Sequence, residues 1–327
     1  MEINAPIQRK VAIIGSGLIG QNWAMLFASA GYQTSMYDVE PGQLQRALEG
    51  TRNQLTKYEQ KGFLKGTGTA EEQAERISGT GSLQECLNGA FYVQECVPEN
   101  LELKQKVFRE LDALVGNDVI LASSSSCLCA SMIADGLAHM QNVLVAHPIN
   151  PPYFVPLVEI VPAPFTSPDV VVKVRDLMKA IGQAPITLQR ECLGFALNRI
   201  QYACINECWN MYKTGLLSAA DIDSLCTNGL GMRYAFIGPL ETMHLNANGI
   251  KDYCERYAQG AVRVQEETFH QIPVLYDTPT AEKIQDDWAI SLPLQKLPER
   301  RAWRDNMLAK LSKLKSDEKS AENEELK

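Results

Sequence analysis

Four histidines are all that the 327 residues contain, and no stretch approaches the roughly 18 consecutive apolar residues of a membrane-spanning helix. Basic residues are in the minority too: 31 Lys and Arg stand against 39 Asp and Glu, for a net charge of −8. Without an arginine–lysine stripe, the chain lacks the electrostatic footprint expected of a nucleic-acid or anionic-membrane partner. The first apolar run is broken at once by glycines, so it does not read as a secretory signal. The nine cysteines, an odd number, lie mostly in apolar contexts such as Cys96, Cys204 and Cys208. That pattern suits reduced thiols in the cytosol. Cys127 and Cys129 stand two apart but have no second pair and no convincing histidine partner, so no metal site is expected. No internal repeat is visible. With 45% hydrophobic residues to build cores and a length beyond one typical domain, two domains are the default.

The most informative segment runs from Val11 to Asp38. Val11 to Ile14 is an apolar, partly β-branched run of the kind found in buried parallel strands. Gly15-x-Gly17-x-x-Gly20 follows immediately, with Leu18 and Ile19 inside it, and Gln21 to Ala30 reads as a helix. Gly15 permits a tight turn, Gly17 lets the backbone approach a pyrophosphate, and Gly20 lets helix and strand pack closely. The helix N-terminus then offers unpaired N–H groups to phosphates. A second strand, Gln33 to Tyr37, ends in Asp38, where an acid accepts hydrogen bonds from an adenosine ribose. Val39 and Glu40 come next, rather than the arginine a 2′-phosphate would need. NAD is therefore the expected cofactor, not NADP.

Further along, strand and helix patterns alternate. Helices are read at Pro41 to Gln60, Glu71 to Glu75, Leu101 to Leu114, Met132 to Leu137 and Pro168 to Ile181. Strands are read near Ile77 and at Phe91 to Val97, Val119 to Ala122, Val143 to Ala146, Val158 to Val161 and Ile186 to Leu188. This alternation predicts a doubly wound, Rossmann-type α/β domain over residues 1–190. Near Arg190 the character changes: residues 193–213 have helical spacing, Ser218 to Asp221 reads as a helix cap, and strand alternation disappears. An all-helical domain is expected over 191–315, followed by a polar tail, 316–327, that frays.

Ligands of such sheets bind beyond the carboxyl ends of the strands. Three polar features fall there: Glu95 to Asn100, the run Ser123 to Ser126, and His147 with Asn150. The serine run also reads simply as a helix-capping turn. His147 ends an apolar strand beside Pro148, where packing does not call for an imidazole. Histidine is suited to taking the proton of a hydroxyl near neutral pH, and its other nitrogen needs an acceptor. Glu159, inside the apolar run Leu157 to Val161, is the candidate, because a buried carboxylate needs a partner. The other reading is an edge strand with Glu159 facing water. Asn198 lies early in the first helix of the second domain, placed to reach a cleft between domains. Arg233, in the glycine-flanked loop Gly231-Met232-Arg233-Tyr234, would grip a substrate carboxylate or form a salt bridge between domains.

Gln94-Glu95-Cys96-Val97-Pro98-Glu99, the stretch from His147 to Tyr153, and the stretch from Gly229 to Ala247 complete a pattern that resembles the 3-hydroxyacyl-CoA dehydrogenase family from about residue 8 to 315. The resemblance implies an NAD-binding Rossmann domain followed by a helical substrate and dimerisation domain, and a homodimer. It implies a catalytic histidine at His147, its orienting glutamate at Glu159, and a substrate-side asparagine at Asn198. Ser126 would contact both the substrate hydroxyl and the nicotinamide, and Glu99, Lys104 and Asn150 would lie near the nicotinamide half of the cofactor. The residues alone favour Glu95 over Glu99. Departures from the family pattern matter as well. Pro148-Ile149 stands where fatty-acyl-CoA members carry two phenylalanines, Pro151-Pro152-Tyr153 replaces a different loop, and Arg233 has no counterpart. An acyl chain needs an apolar slot, whereas a small polyol acid needs hydroxyl partners and a cation. The branch implied is one that oxidises the 3-hydroxyl of L-gulonate, a small hydroxy acid, to 3-dehydro-L-gulonate. The alternatives are a short-chain L-3-hydroxyacyl-CoA dehydrogenase and a structural lens protein with its activity retained or lost.

Overall fold

The computed structural model describes residues 9–269 and 293–325, with 279, 282, 286 and 289 between them. Strands β1 (Lys10–Ile14), β2 (Gln33–Tyr37), β3 (Ile77–Thr80), β4 (Ala90–Glu95), β5 (Ile120–Ser123), β6 (Val143–Pro148), β7 (Leu157–Pro162) and β8 (Ala184–Thr187) form one sheet in the order 3-2-1-4-5-6-7-8. Every neighbouring pair is parallel except β6–β7. The order reverses direction between β1 and β4, the switch point where open α/β sheets leave a crevice.

Helices α1 (Leu18–Ser29), α2 (Pro41–Gln60), α3 (Ala70–Glu75), α4 (Leu83–Leu87), α5 (Leu101–Leu114), α6 (Ala130–Ala134) and α7 (Pro168–Ala180) connect the strands. Successive side chains of a strand face opposite sides, and β1 is apolar on both. Val11 and Ile13 join Trp23 and Phe27 of α1 in one core, while Ala12 and Ile14 join Phe108 and Leu111 of α5 in the other. The expected doubly wound α/β domain is what the chain forms.

Several details differ from the sequence reading. Helix α1 starts at Leu18, three residues earlier than expected, because Gly17 already serves as its N-cap and accepts from the Gln21 N–H. Helix α4 was not anticipated. Strand β6 extends to Pro148, which brings His147 into the sheet. No helix separates β6 from β7, so the two run antiparallel and break the alternation.

The chain divides into two compact units, Met1–Asn198 with Ala302–Lys327, and Arg199–Arg301. Beyond residue 196 the described elements are helical: α8 (Leu197–Lys213), α9 (Ala219–Leu225), α10 (Gly231–Tyr234), α11 (Pro239–Leu245), α12 (Ile250–Phe269) and α13 (Leu297–Glu325), with a π-helical turn at Cys226–Leu230 joining α9 to α10. The first compact unit thus runs past the boundary expected near 190, and residues from Ala302 onward group with it, where Ala309 is buried in the core beside α1. The segment 316–327, expected to fray, continues α13 as far as Glu325, since its Lys, Glu and Ala residues are good helix formers. Arg233 lies in helix α10, not in a loop. Among the described residues, no helix is long and apolar enough to cross a membrane.

Candidate active site

Strand β1 delivers the chain into the glycine turn, and the backbone there leaves little choice of residue. Gly15 sits at φ +97°, and a Cβ on it would come within 2.9 Å of the Cys96 backbone. A Cβ on Gly20 would collide with the Gly15 carbonyl oxygen. Gly17 is different, because nothing lies where its Cβ would be. That open space sits beside helix N–H groups that no side chain caps, which is what a pyrophosphate requires. Leu18 is exposed, and Ile19 packs half-buried against the core.

At the end of β2, Asp38 Oδ2 accepts from the Ser16 N–H at 2.8 Å and from Ser16 Oγ at 2.7 Å, while Oδ1 accepts from the Glu40 N–H at 3.0 Å. Burial pushes the Asp38 carboxyl up, but these hydrogen bonds outweigh it and hold the group below its ordinary value. Ser16 and the following backbone thus hold at the end of β2 an ionised acceptor of the kind a ribose hydroxyl needs. The glycine cradle and this acid together fit a dinucleotide.

Beyond β4 and β5 two glutamates are treated very differently. Glu95 is 0% exposed. Its oxygens accept from Lys104 Nζ at 2.8 and 3.0 Å, from Ser123 Oγ at 2.6 Å and from the Val97 N–H at 2.6 Å, so it has nothing left for a ligand. Glu99 keeps 35% of its side chain exposed. Its Oε1 accepts from Ser125 Oγ at 2.6 Å and from the N–H groups of Ser126 and Cys127 at 3.0 and 3.2 Å. Burial raises the Glu99 pKa, but Ser125, the Lys104 charge and the two N–H groups more than reverse that, leaving it ionised. The preference for Glu95 drawn from the residues alone is thus overturned in favour of Glu99. Lys104 is 1% exposed, with Nζ 3.5 Å from Glu99 Oε2, so it lies beneath the surface against Glu99.

The antiparallel register sets His147 directly opposite Glu159. Directly opposite residues share a face, and His147 Nδ1 lies 2.8 Å from Glu159 Oε2. Glu159 is 0% exposed and His147 only 7%, so the reading of Glu159 as a water-facing edge residue is excluded. The other oxygen, Oε1, accepts from the Ala196 and Leu197 N–H groups at 2.8 and 2.9 Å, at the start of α8. Burial works to raise the Glu159 pKa, yet the His147 hydrogen bond and the two N–H groups leave it below its ordinary value. An ionised carboxylate only accepts, so Nδ1 carries a proton and Nε2 is the ring nitrogen turned to other partners. Among the described residues, no hydrogen bond engages Nε2.

Asn198, next along the chain from Leu197, donates through Nδ2 to the Ser126 carbonyl at 2.8 Å. One connected path therefore runs from His147 through Glu159 and Leu197 to Asn198, then to Ser126, Glu99, Lys104 and Glu95. Sequence reasoning missed two residues: Ser125, which grips Glu99 on this path, and Ser16, which grips Asp38 at the dinucleotide cradle. Both lie in segments it had singled out, the serine run and the glycine turn. Asn150 is exposed just after β6, outside the path. Arg233 is exposed on α10 in the second unit, with no ion pair among that unit's described residues.

Residues 10–192 match the family model "3-hydroxyacyl-CoA dehydrogenase, NAD binding domain", and residues 194–272 match "3-hydroxyacyl-CoA dehydrogenase, C-terminal domain". The chain is similar to the human lambda-crystallin homolog, with 51% identity over 94% of this chain and 96% of the relative. It is also similar to L-carnitine dehydrogenase of Oceanobacillus iheyensis, with 31% identity over 72% of this chain and 76% of that one. Among solved structures, 5-formyl-3-hydroxy-2-methylpyridine 4-carboxylic acid 5-dehydrogenase shares the fold, with a TM-score of 0.73 at 24% identity over 94% of this chain and 98% of that one. With both family models matched in order and the glycine turn, Asp38 and the His147–Glu159 pair in place, the chain belongs to the 3-hydroxyacyl-CoA dehydrogenase family and is an NAD-dependent oxidoreductase.

Proposed function

We propose that the chain oxidises the 3-hydroxyl of L-gulonate to 3-dehydro-L-gulonate. The observation that carries the chemical half of this reading is the His147–Glu159 pair, an imidazole held through Nδ1 by an ionised, buried carboxylate. When bound, NAD supplies the hydride acceptor. His147 Nε2 takes the proton of the substrate hydroxyl, and Glu159 stabilises the imidazolium that results. Ser126 and Asn198 hold the oxygen that becomes the carbonyl. Glu99, braced by Lys104 and Ser125, and Asn150 line the nicotinamide side.

For the substrate, the support is a cation and a change of lining. Arg233 is exposed and offers a bidentate grip on a carboxylate, and Pro148-Ile149 stands where acyl-CoA members carry phenylalanines. Tyr153 does not belong to this argument: it is buried, stacked on Tyr58 at 4.7 Å, and its hydroxyl accepts from the Lys65 N–H. A small polar hydroxy acid also matches the printed name of the carnitine-oxidising relative. A short-chain 3-hydroxyacyl-CoA substrate is the second reading, favoured by the names of the two family models. A lens role would be compatible with either, and the intact acid–base path favours retained activity.

We further infer a homodimer in the cytosol. The second unit exposes Met232, Tyr234, Phe236, Leu240 and Leu245, large apolar side chains of the kind a second subunit covers, and all nine cysteines are free thiols. The deciding experiment compares kcat/KM for L-gulonate, L-3-hydroxybutyrate and acetoacetyl-CoA. L-Gulonate is expected to lead; a lead for the thioester would replace it. His147→Ala should lower kcat by about 10²–10⁴-fold while leaving NADH affinity intact, and surviving turnover would reject the base assignment. Arg233→Met should raise the L-gulonate KM roughly tenfold or more with kcat nearly unchanged, and an unchanged KM would return Arg233 to a structural role.

A further inference from the structure

Three thiols that play no part in the path above come together in the second unit. Cys204 and Cys208 are four residues apart on α8, so one helical turn stacks them on a common face. The chain turns back through residues 214–218 into α9, and the π-helical turn that follows begins at Cys226. The Sγ atoms of Cys204, Cys208 and Cys226 all lie within 4.8 Å of one another. Cys208 and Cys226 are partly buried and Cys204 is exposed. Among the described residues, this is the one group of three or more His, Cys, Asp or Glu ligand atoms gathered so closely.

We propose that Cys204, Cys208 and Cys226 form a three-thiolate site for a soft d10 cation, best fitted by monovalent copper. Metal–sulfur bonds of about 2.3 Å from one centre put the sulfurs roughly 4 Å apart, so a small side-chain adjustment closes the site. No fourth donor joins the cluster among the described residues. Thiolates select soft cations; three of them complete a trigonal copper(I) shell, whereas zinc would need a solvent molecule in its fourth position. Binding exchanges three S–H bonds for three Cu–S bonds: one Cu⁺ enters, three protons leave to solvent, and no electron is transferred.

The backbone suits a clip at this point. A π-helical turn is an uncommon feature that recurs at functional positions. Here it turns on Gly231, whose N–H bonds the Cys226 carbonyl and whose Cβ, if present, would come within 2.6 Å of that oxygen. A cation held by the three sulfurs joins α8 to this turn, and so steadies the short stretch that leads to Arg233.

The test titrates the reduced full-length protein anaerobically with Cu⁺ against a chromophoric copper(I) chelator, and separately with Zn²⁺ against a zinc chelator. One equivalent of Cu⁺ is retained, with a copper–thiolate ultraviolet band. Cys204→Ser and Cys226→Ser each weaken retention roughly 10–100-fold. Cys204 is exposed, so its serine variant folds normally, and Cys254→Ser, at an exposed thiol on α12, leaves retention unchanged. Failure to retain Cu⁺, retention unaltered in Cys204→Ser, or a preference for Zn²⁺ over Cu⁺ would overturn the proposal.

Discussion

Glu159 serves two masters with two oxygens, one on His147 and one on the backbone at the start of α8. Its replacement therefore separates charge from shape. In Glu159→Gln the amide must turn a donor either toward the His147 Nδ1–H or toward two N–H groups. We expect kcat to fall about 10²–10⁴-fold and stability to drop by about 1–3 kcal/mol, read by steady-state kinetics and thermal melting. The pH dependence follows from sign. A carboxyl whose pKa is lower in the folded state adds stability above its unfolded value and loses it as pH falls through the folded one. Asp38, Glu99, Asp112 and Glu159 are all lowered in this way, and Glu95, raised by burial, works in the opposite direction. The melting temperature should be flat from neutrality to about pH 5 and fall below about pH 4. Glu159→Gln should flatten that fall, and an equally steep one would remove Glu159 from the account.

At the scale of elements, the strand–turn–helix unit of β1 and α1 makes a paired prediction. Gly17→Ala places a methyl in open space, so folding should be unchanged while NAD affinity weakens roughly tenfold or more, because the methyl occupies the pyrophosphate approach. Gly20→Ala drives a methyl into the Gly15 carbonyl and should cost about 1–3 kcal/mol of stability. Calorimetric NAD titration beside thermal melting checks both; a destabilised Gly17→Ala or a neutral Gly20→Ala would contradict the geometry. Apart from where α1 begins, this unit was legible in the sequence, since Gly15 is set by its positive φ and Gly20 by a contact five residues away. The pairing of β6 with β7 was less so. The candidate pair was visible as a histidine and a buried glutamate, but not the reversed strand direction that sets them opposite. Only the absence of a helix between residues 149 and 156 hinted at it.

For the whole molecule, the return of the chain end is the main surprise. Ala309 is 2% exposed and packs with the core that holds α1 and α2, and Leu308 packs beside it. Lys313 Nζ reaches the Gly62 carbonyl at 3.4 Å. Ala309→Glu should therefore destabilise the first unit by about 2 kcal/mol or more and lower its melting temperature, whereas the same change in a frayed segment would be silent. The sequence did not announce this: residues 302–315 read as the last part of the second, helical domain, and nothing in their spacing says which unit their apolar side chains pack against.

The amino-acid order determined by itself the α/β class, the NAD turn and Asp38, and it named His147 and Glu159 as a candidate pair. Each rests on local chemistry: a backbone that admits only glycine, or a charge that cannot be buried alone. Tertiary structure decided which glutamate faces outward, which residues brace it, where the units divide and that three distant cysteines meet. Those outcomes depend on which surfaces each element buries against another, and that competition is settled by the packed whole rather than by any one segment.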